Sequence, residues 1–252
     1  MSITSNAELQ GMTKVSEAVG LVLKQMREYA APGMTTRELD EYGGQLLQAA
    51  GVRAAPKLAY GFPGWTCIGV NNVVAHGIPS DSVRLQEGDL VNIDVSGELD
   101  GFWGDNGGSF VLGNDLNHHA PLVNASRNIL LLAISQIRDG VKLADIGRLI
   151  EFEARRAGFR VIKNLVGHGV GRSLHEAPKE IPCFYDRGNK GRFTKNSTVA
   201  IETFISTRAS YAYGNGDGWT LVTNDGSFVA QHEHTIMVTA GEPVILTSTN
   251  GI

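Results

Sequence analysis

Cysteine is scarce in this sequence. Of 252 residues only Cys67 and Cys183 carry a thiol, and neither belongs to a C-x-x-C pair. That pattern excludes a zinc ribbon and a paired redox centre and leaves no disulfide framework, as expected of a reducing compartment. Long apolar runs are missing too. The longest, Ile129 to Ile134, is far too short to cross a bilayer. The opening Met1-Ser2-Ile3 leads straight into polar residues, without the basic and apolar regions of a signal peptide. Basic charge is not in surplus: 22 Lys and Arg stand against 26 Asp and Glu, a net charge of −4, so there is no electrostatic footprint for nucleic acid or an anionic membrane. The short basic runs, Arg155-Arg156 and Lys190 with Arg192, read as solvated faces. Low-complexity tails and linkers are likewise absent. These absences give the expectation of a cytoplasmic enzyme with no nucleic-acid or membrane partner.

What is present is ordinary globular composition, 42% hydrophobic and 19% charged, with two similar halves. An amphipathic helix is predicted from about Ala7 to Ala31, broken at Pro32-Gly33. Thr35 and Glu38 then form a capping-box pattern that opens a second helix, running to about Ala50 and stopping at Gly51. The second half repeats this plan: Pro121 opens a helix through about Arg138, Gly140 breaks it, and another helix runs to Ala157 and stops at Gly158. Ala50-Gly51 and Ala157-Gly158 match at one offset, as do Gly33 and Gly140. Strands are predicted after each helix pair: Thr66–Val70, Leu90–Ser96 and Phe102–Leu112, then Phe159–Ile162, Thr198–Ser206, Thr220–Thr223 and Ser227–Thr239. Gly214 to Gly218 reads as a loop. The expectation is a single α+β domain over 1–252, internally duplicated as about 7–113 and 121–239; two unrelated helical hairpins would give the same pattern by coincidence.

The chemistry gathers around Leu90 to Phe110. Val91, Ile93 and Val95 alternate with Asn92, Asp94 and Ser96, so Asp94 sits in an apolar strand and must be paired, metal-bound or protonated. Asp105 follows on the next strand. A turn centred on Leu99-Asp100 sets the two aspartates opposite each other, and one centred on Asp100-Gly101 makes them diagonal neighbours; either leaves both within reach of one ion. A hairpin with two solvated aspartates fits this stretch equally well, so the rest of the chain decides. His168 lies in Gly167-His168-Gly169-Val170-Gly171, where glycines allow close approach of backbone and ligand; a capped loop histidine is the alternative. Glu202 ends the apolar run Val199-Ala200-Ile201 and needs a partner, a salt bridge or a metal. Within Gln231-His232-Glu233-His234, strand alternation sets Glu233 against both histidines, so only one side faces a given site. His118-His119 reads as a solvated loop pair. His175-Glu176 and His76 are further candidates for contact with a substrate. Four carboxylates and one histidine, Asp94, Asp105, His168, Glu202 and Glu233, are too many acids for one divalent ion. They suit two ions of Mn, Co, Fe or Zn, about 3.5–4 Å apart and sharing bridging carboxylates.

These residues in this order resemble the type I methionine aminopeptidases of bacteria, within the M24 "pita-bread" metallopeptidases. The resemblance rests on NIDV with Asp94, GFWGD with Asp105, GHGVG with His168, HE with His175, AIET with Glu202 and QHEHT with Glu233. AHGIP with His76, IGVNN from Ile68 to Asn72, and DGWT with Trp219 add to it, and it runs from the first helix to Thr239. It implies a pseudo-two-fold fold, a central curved antiparallel sheet covered by two helix pairs. It implies a monomer that removes the initiator methionine from nascent polypeptides or short peptides, with possible association with the ribosome. Residue by residue, it implies that Asp94 binds one metal ion, His168 and Glu202 the other, and Asp105 and Glu233 both. Glu202 would relay a proton, His175 would polarise the oxyanion, and His76 would contact the scissile amide. Phe62, Cys67 and Trp219 would line the methionine pocket. Four departures stand out: Thr203-Phe204 where type I members have Pro-Met, Leu174 and Ala59 where aromatics are usual, and Asn106-Gly107-Gly108 after Asp105. None removes a metal ligand, but Leu174, Ala59 and Phe204 are expected at the pocket. A changed preference for the N-terminal residue is therefore the alternative activity, and a non-catalytic binding module the alternative class.

Overall fold

The computed structural model describes residues 1–252. The first half comprises α1 (Asn6–Tyr29), α2 (Thr36–Ala49), β1 (Arg53–Ala54), α3 (Ala55–Tyr60), β2 (Cys67–Val70), β3 (Val73–Ala75), β4 (Leu90–Leu99) and β5 (Phe102–Val111). The second comprises α4 (Ala120–Ser135), α5 (Leu143–Arg156), β6 (Arg160–Val161), β7 (Val166–Gly169), β8 (Glu176–Pro182), β9 (Thr198–Ser206), β10 (Tyr213–Gly214), β11 (Leu221–Val222), β12 (Val229–Met237) and β13 (Val244–Ile245). The main sheet is antiparallel, ordered β1-β4-β5-β12-β9-β7-β8, with β2 on β4, β6 on β9 and β13 on β12; β10, β11 and β3 form a smaller sheet.

The two halves repeat the same order. Each has a helix pair, then a two-residue strand, Arg53–Ala54 or Arg160–Val161, laid against a long strand, β4 or β9. The four expected punctuating glycines, Gly33, Gly51, Gly140 and Gly158, all have positive φ. The Thr35–Glu38 capping box is present, with Glu38 N donating to Thr35 Oγ1 and Thr35 N to Glu38 Oε2. One apolar cluster packs α1 and α2 on β4, with Leu23, Met26 and Ile93 fully buried. A second packs α4 and α5 on β9 and β12, with Leu130, Ile201 and Ile236 at its centre. Helices cover one face of the sheet, which leaves the other face for chemistry.

The β4–β5 hairpin settles the register. Leu99 pairs with Phe102, and Asp100 and Gly101 have φ of 54° and 82°. Two consecutive positive φ values define the mirror-image turn that suits the twist of a hairpin. Centred on Asp100-Gly101, it makes Asp94 and Asp105 diagonal neighbours: Asp94 stands opposite Gly107, and Asp105 opposite Ser96.

Several expectations are corrected. His168 lies on strand β7, which sets aside the alternative of a loop histidine, whereas β9 has the bounds expected of it, Thr198–Ser206, with Glu202 at its centre. Gly214 belongs to a short strand. His119 is buried, its ring 4.3 Å from that of Phe228, while His118 alone is exposed. Strands β7 and β8 and helix α3 have no counterpart among the expected elements.

Candidate active site

Cross-strand registers place the candidate ligands in two adjacent rows on one face of the sheet. The first row reads Cys67, Asp94, Gly107, Glu233, Glu202 across β2, β4, β5, β12 and β9. The second reads Ser96, Asp105, Thr235, Ala200, His168, with Thr235 Oγ1 accepting from Asp105 N and donating to Asp105 O. Directly opposed side chains share a face of a sheet, so the two rows project Asp94, Glu233, Glu202, Asp105 and His168 into one space. The residues between them are small: Gly107, Ala200 and Thr235.

Gly107 has a specific reason to be glycine. A Cβ there would lie 2.4 Å from Gln231 Oε1. Gln231 fills that space, accepts from Asn92 Nδ2 at 2.8 Å and donates through Nε2 to Glu233 Oε2 at 3.1 Å. The glutamine therefore orients Glu233. Gln231 and Asn92 were not among the residues singled out from the sequence. Their one signal is that they share the strand faces of Glu233 and Asp94.

Alternation along β12 sends the flanking histidines to the helical side. His232 Nδ1 meets Ser126 Oγ at 3.0 Å, and His234 Nδ1 meets Thr247 Oγ1 at 2.9 Å. Burial pushes their pKa values down to about 3 and about 4, so both are neutral packing groups.

The acids are electrostatically unbalanced. Burial lifts Asp94 to about 7 and holds Asp105, Glu202 and Glu233 well above the carboxylate range; the neighbouring carboxylates push the last three further. Burial lowers His168 to about 3, with the adjacent His175 adding to the effect. The one basic side chain beside these acids is the neutral His168 imidazole, with Nε2 3.7 Å from Asp105 Oδ2. Asp105 Oδ1 and Glu233 Oε1 are buried without any hydrogen-bond partner. Ligand atoms of Asp105, His168 and Glu233 lie within 4.8 Å of one another. Buried acids without cationic neighbours, orphaned oxygens and a neutral imidazole form a donor set that fits divalent cations.

The candidate ligands open onto a cavity of about 420 Å³, which is lined by all ten residues singled out from the sequence: the four acids and His168 group together with His76, His175, Phe62, Cys67 and Trp219. Phe62 and Trp219 meet edge to face with centroids 5.3 Å apart. His76 follows β3 with a φ of 52°, and burial lowers its pKa. His175 sits between β7 and β8, its ring 3.9 Å from that of His168. Leu174 and Phe204 line the cavity, whereas Ala59 does not; its neighbour Tyr60 takes that place, and Lys179 stands with it.

A curved antiparallel sheet backed by two helix pairs, with four acids and an imidazole as candidate ligands on its open face, is a metallopeptidase architecture, and the chain belongs to metallopeptidase family M24, which it matches over residues 10–240. Its full-length relatives within that family include methionine aminopeptidases. It is 47% identical to methionine aminopeptidase 2 of Bacillus subtilis over 98% of this chain and 99% of that one. It is 40% identical to a methionine aminopeptidase of Staphylococcus epidermidis over 98% of each. The solved methionine aminopeptidase of Thermotoga maritima superposes with a TM-score of 0.93 at 35% identity, over 98% of this chain and 99% of that one. A prolidase from Pyrococcus furiosus, 17% identical with a TM-score of 0.77, shares the fold.

Proposed function

We propose that this chain, acting as one catalytic domain over residues 1–252, is a metal-dependent aminopeptidase that removes the N-terminal methionine from nascent proteins and short peptides. The observation that carries this reading is the junction of two surfaces: a row of uncompensated buried acids opens directly onto a cavity walled by Phe62, Cys67 and Trp219. Asp94, Asp105, His168, Glu202 and Glu233 would hold two divalent ions, from among Mn, Co, Fe and Zn. When bound, such ions acidify a water and polarise a carbonyl oxygen at neutral pH.

The chain's own groups supply the rest. Glu202, with its raised proton affinity, accepts a proton from the attacking water and passes it to the departing amine. His175 donates a hydrogen bond to the oxygen that gains charge, and His76 contacts the scissile amide. A methionine side chain suits a pocket with two aromatic edges, because a thioether packs favourably against them. Leu174 and Phe204 line the same cavity and shape its preference for the N-terminal side chain. No helix is long and apolar enough to cross a membrane. The reading extends to a cytoplasmic monomer that meets nascent chains, at the ribosome or free.

The test is hydrolysis of Met-Ala-Ser by metal-stripped protein titrated with Mn(II), Co(II) and Fe(II), with Leu-Ala-Ser and Met-Pro-Ser alongside. Metal-restored, methionine-selective release is expected, and loss of at least about a hundredfold in turnover for Glu202→Gln. Metal binding without methionine release would assign the site to another N-terminal residue.

A further inference from the structure

We infer that Tyr60 is a positioning residue for His175, holding its imidazole with the proton on Nε2, so that the ring presents a donor to the reacting carbonyl oxygen. The inference rests on the aminopeptidase reading above and adds a residue to it.

The observation is a single contact across the mouth of the cavity. Tyr60 Oη lies 2.6 Å from His175 Nδ1, between residues 115 positions apart in the chain. The tyrosine ends α3 in the first half of the molecule, and the histidine precedes β8 in the second. Their rings are not stacked: the centroids are 5.8 Å apart and the planes inclined by 53°. The hydroxyl, rather than ring packing, is therefore the point of contact. The chain aims it deliberately. Pro56 lies in the first turn of α3, and Gly61, with φ of 72°, ends it in a left-handed turn. The turn sends Tyr60 toward His175 and Phe62 toward Trp219.

A neutral imidazole has one donor and one acceptor nitrogen, and the hydrogen bond made by one fixes the role of the other. A phenol that donates to Nδ1 leaves the proton on Nε2. Without the phenol, His175 has no other side-chain contact that selects a tautomer; Ser173 Oγ donates only to its backbone carbonyl. Its ring packs 3.9 Å from the His168 ring, which limits where it can swing but does not select a nitrogen. Tyr60 is half-exposed at 52%, so the hydroxyl does little for the core, and its removal leaves the fold intact.

The test is Tyr60→Phe, which keeps the ring and removes the hydroxyl. With Met-Ala-Ser and the metal-loaded enzyme, kcat should fall about tenfold while KM stays within twofold. In a His175→Ala background the same change should have no effect, since the tyrosine acts through the histidine. Long-range 15N–1H spectra of zinc-loaded protein should show His175 protonated at Nε2 in the parent and a mixture of tautomers in Tyr60→Phe. A raised KM with unchanged kcat would make Tyr60 a pocket wall and overturn the inference. Equal losses in the parent and His175→Ala backgrounds would overturn it too, as would an unchanged tautomer. If the parent enzyme releases no methionine but its His175 tautomer still depends on Tyr60, the aminopeptidase reading falls and the tether stands.

Discussion

At the scale of single residues, the site depends as much on missing side chains as on charged ones. Asp94, Glu233 and Glu202 lie in one cross-strand row, and the residue between Asp94 and Glu233 is Gly107. The vacated space admits Gln231, which fixes Glu233. Gly107→Ala would push the Gln231 amide off its position and release Glu233. Removing the support behind a metal ligand typically weakens metal affinity tenfold to a hundredfold. About tenfold weaker Mn(II) binding is expected by calorimetry, with a stability loss of about 1–3 kcal/mol from overpacking. Binding equal to the parent would show that Gln231 is not a support. The ligand residue types were legible in the sequence, because a carboxylate in an apolar strand demands an explanation. The supports were not, since Asn92 and Gln231 are neutral amides whose importance comes only from the strand opposite.

At the scale of elements, period-two alternation carried most of the information. It set Asp94 on the polar side of β4 and separated Glu233 from its neighbouring histidines on β12. It could not fix the β4–β5 turn, because Leu99-Asp100 and Asp100-Gly101 both carry turn chemistry, and the positive φ of Asp100 and Gly101 decides between them. It also missed β7, where Gly167 and Gly169 flank His168. Glycine is depleted in strands, so the local sequence argues for a loop, and pairing with β8 and β9 overrides it. The two-sided character of β12 has a thermodynamic consequence. His232 and His234, on the helical face, titrate near 3 and 4 when folded against about 6.5 when unfolded. Their folded pKa values are depressed, so the unfolded chain binds the extra protons. Stability they support is complete above pH 6.5 and lost as pH falls through the window down to their folded values, at up to about 1.4 kcal/mol per pH unit for each. Urea unfolding of metal-loaded protein at pH 6.5, 5.5 and 5.0 should show this slope, and His232→Gln should reduce it by about one proton. An unchanged slope would mean that His232 keeps its proton on folding.

At the scale of the whole molecule, the site lies on the seam between two similar halves. Asp94 and Asp105 come from the first half, and His168, Glu202 and Glu233 from the second. Divalent ions held among them would tie the halves together from the face opposite the helices. The acids are also a cost when no ion is bound: their folded pKa values are raised, Asp94 to about 7. The ordinary carboxylate value is near 4. In metal-free protein the penalty is absent below that range and grows as pH rises through the folded values, because the unfolded chain releases protons that the folded site retains. Ions require the charged acids, so their binding strengthens over the same window. These are one linkage seen from two sides, because the difference between metal-loaded and metal-free protein is the apparent binding free energy, and the background titration of His232 and His234 cancels from that difference. The gap in Tm should therefore widen from pH 6 to pH 8. With Mn(II) at about a thousand times its Kd, the stabilisation is about 4 kcal/mol, or roughly 10 °C for a chain of this size. Differential scanning calorimetry with Mn(II) and with chelator at pH 6, 7 and 8 measures it. A gap that stays constant would mean that the acids are already ionised in the metal-free fold, and that something other than proton release sets how tightly this site holds its ions.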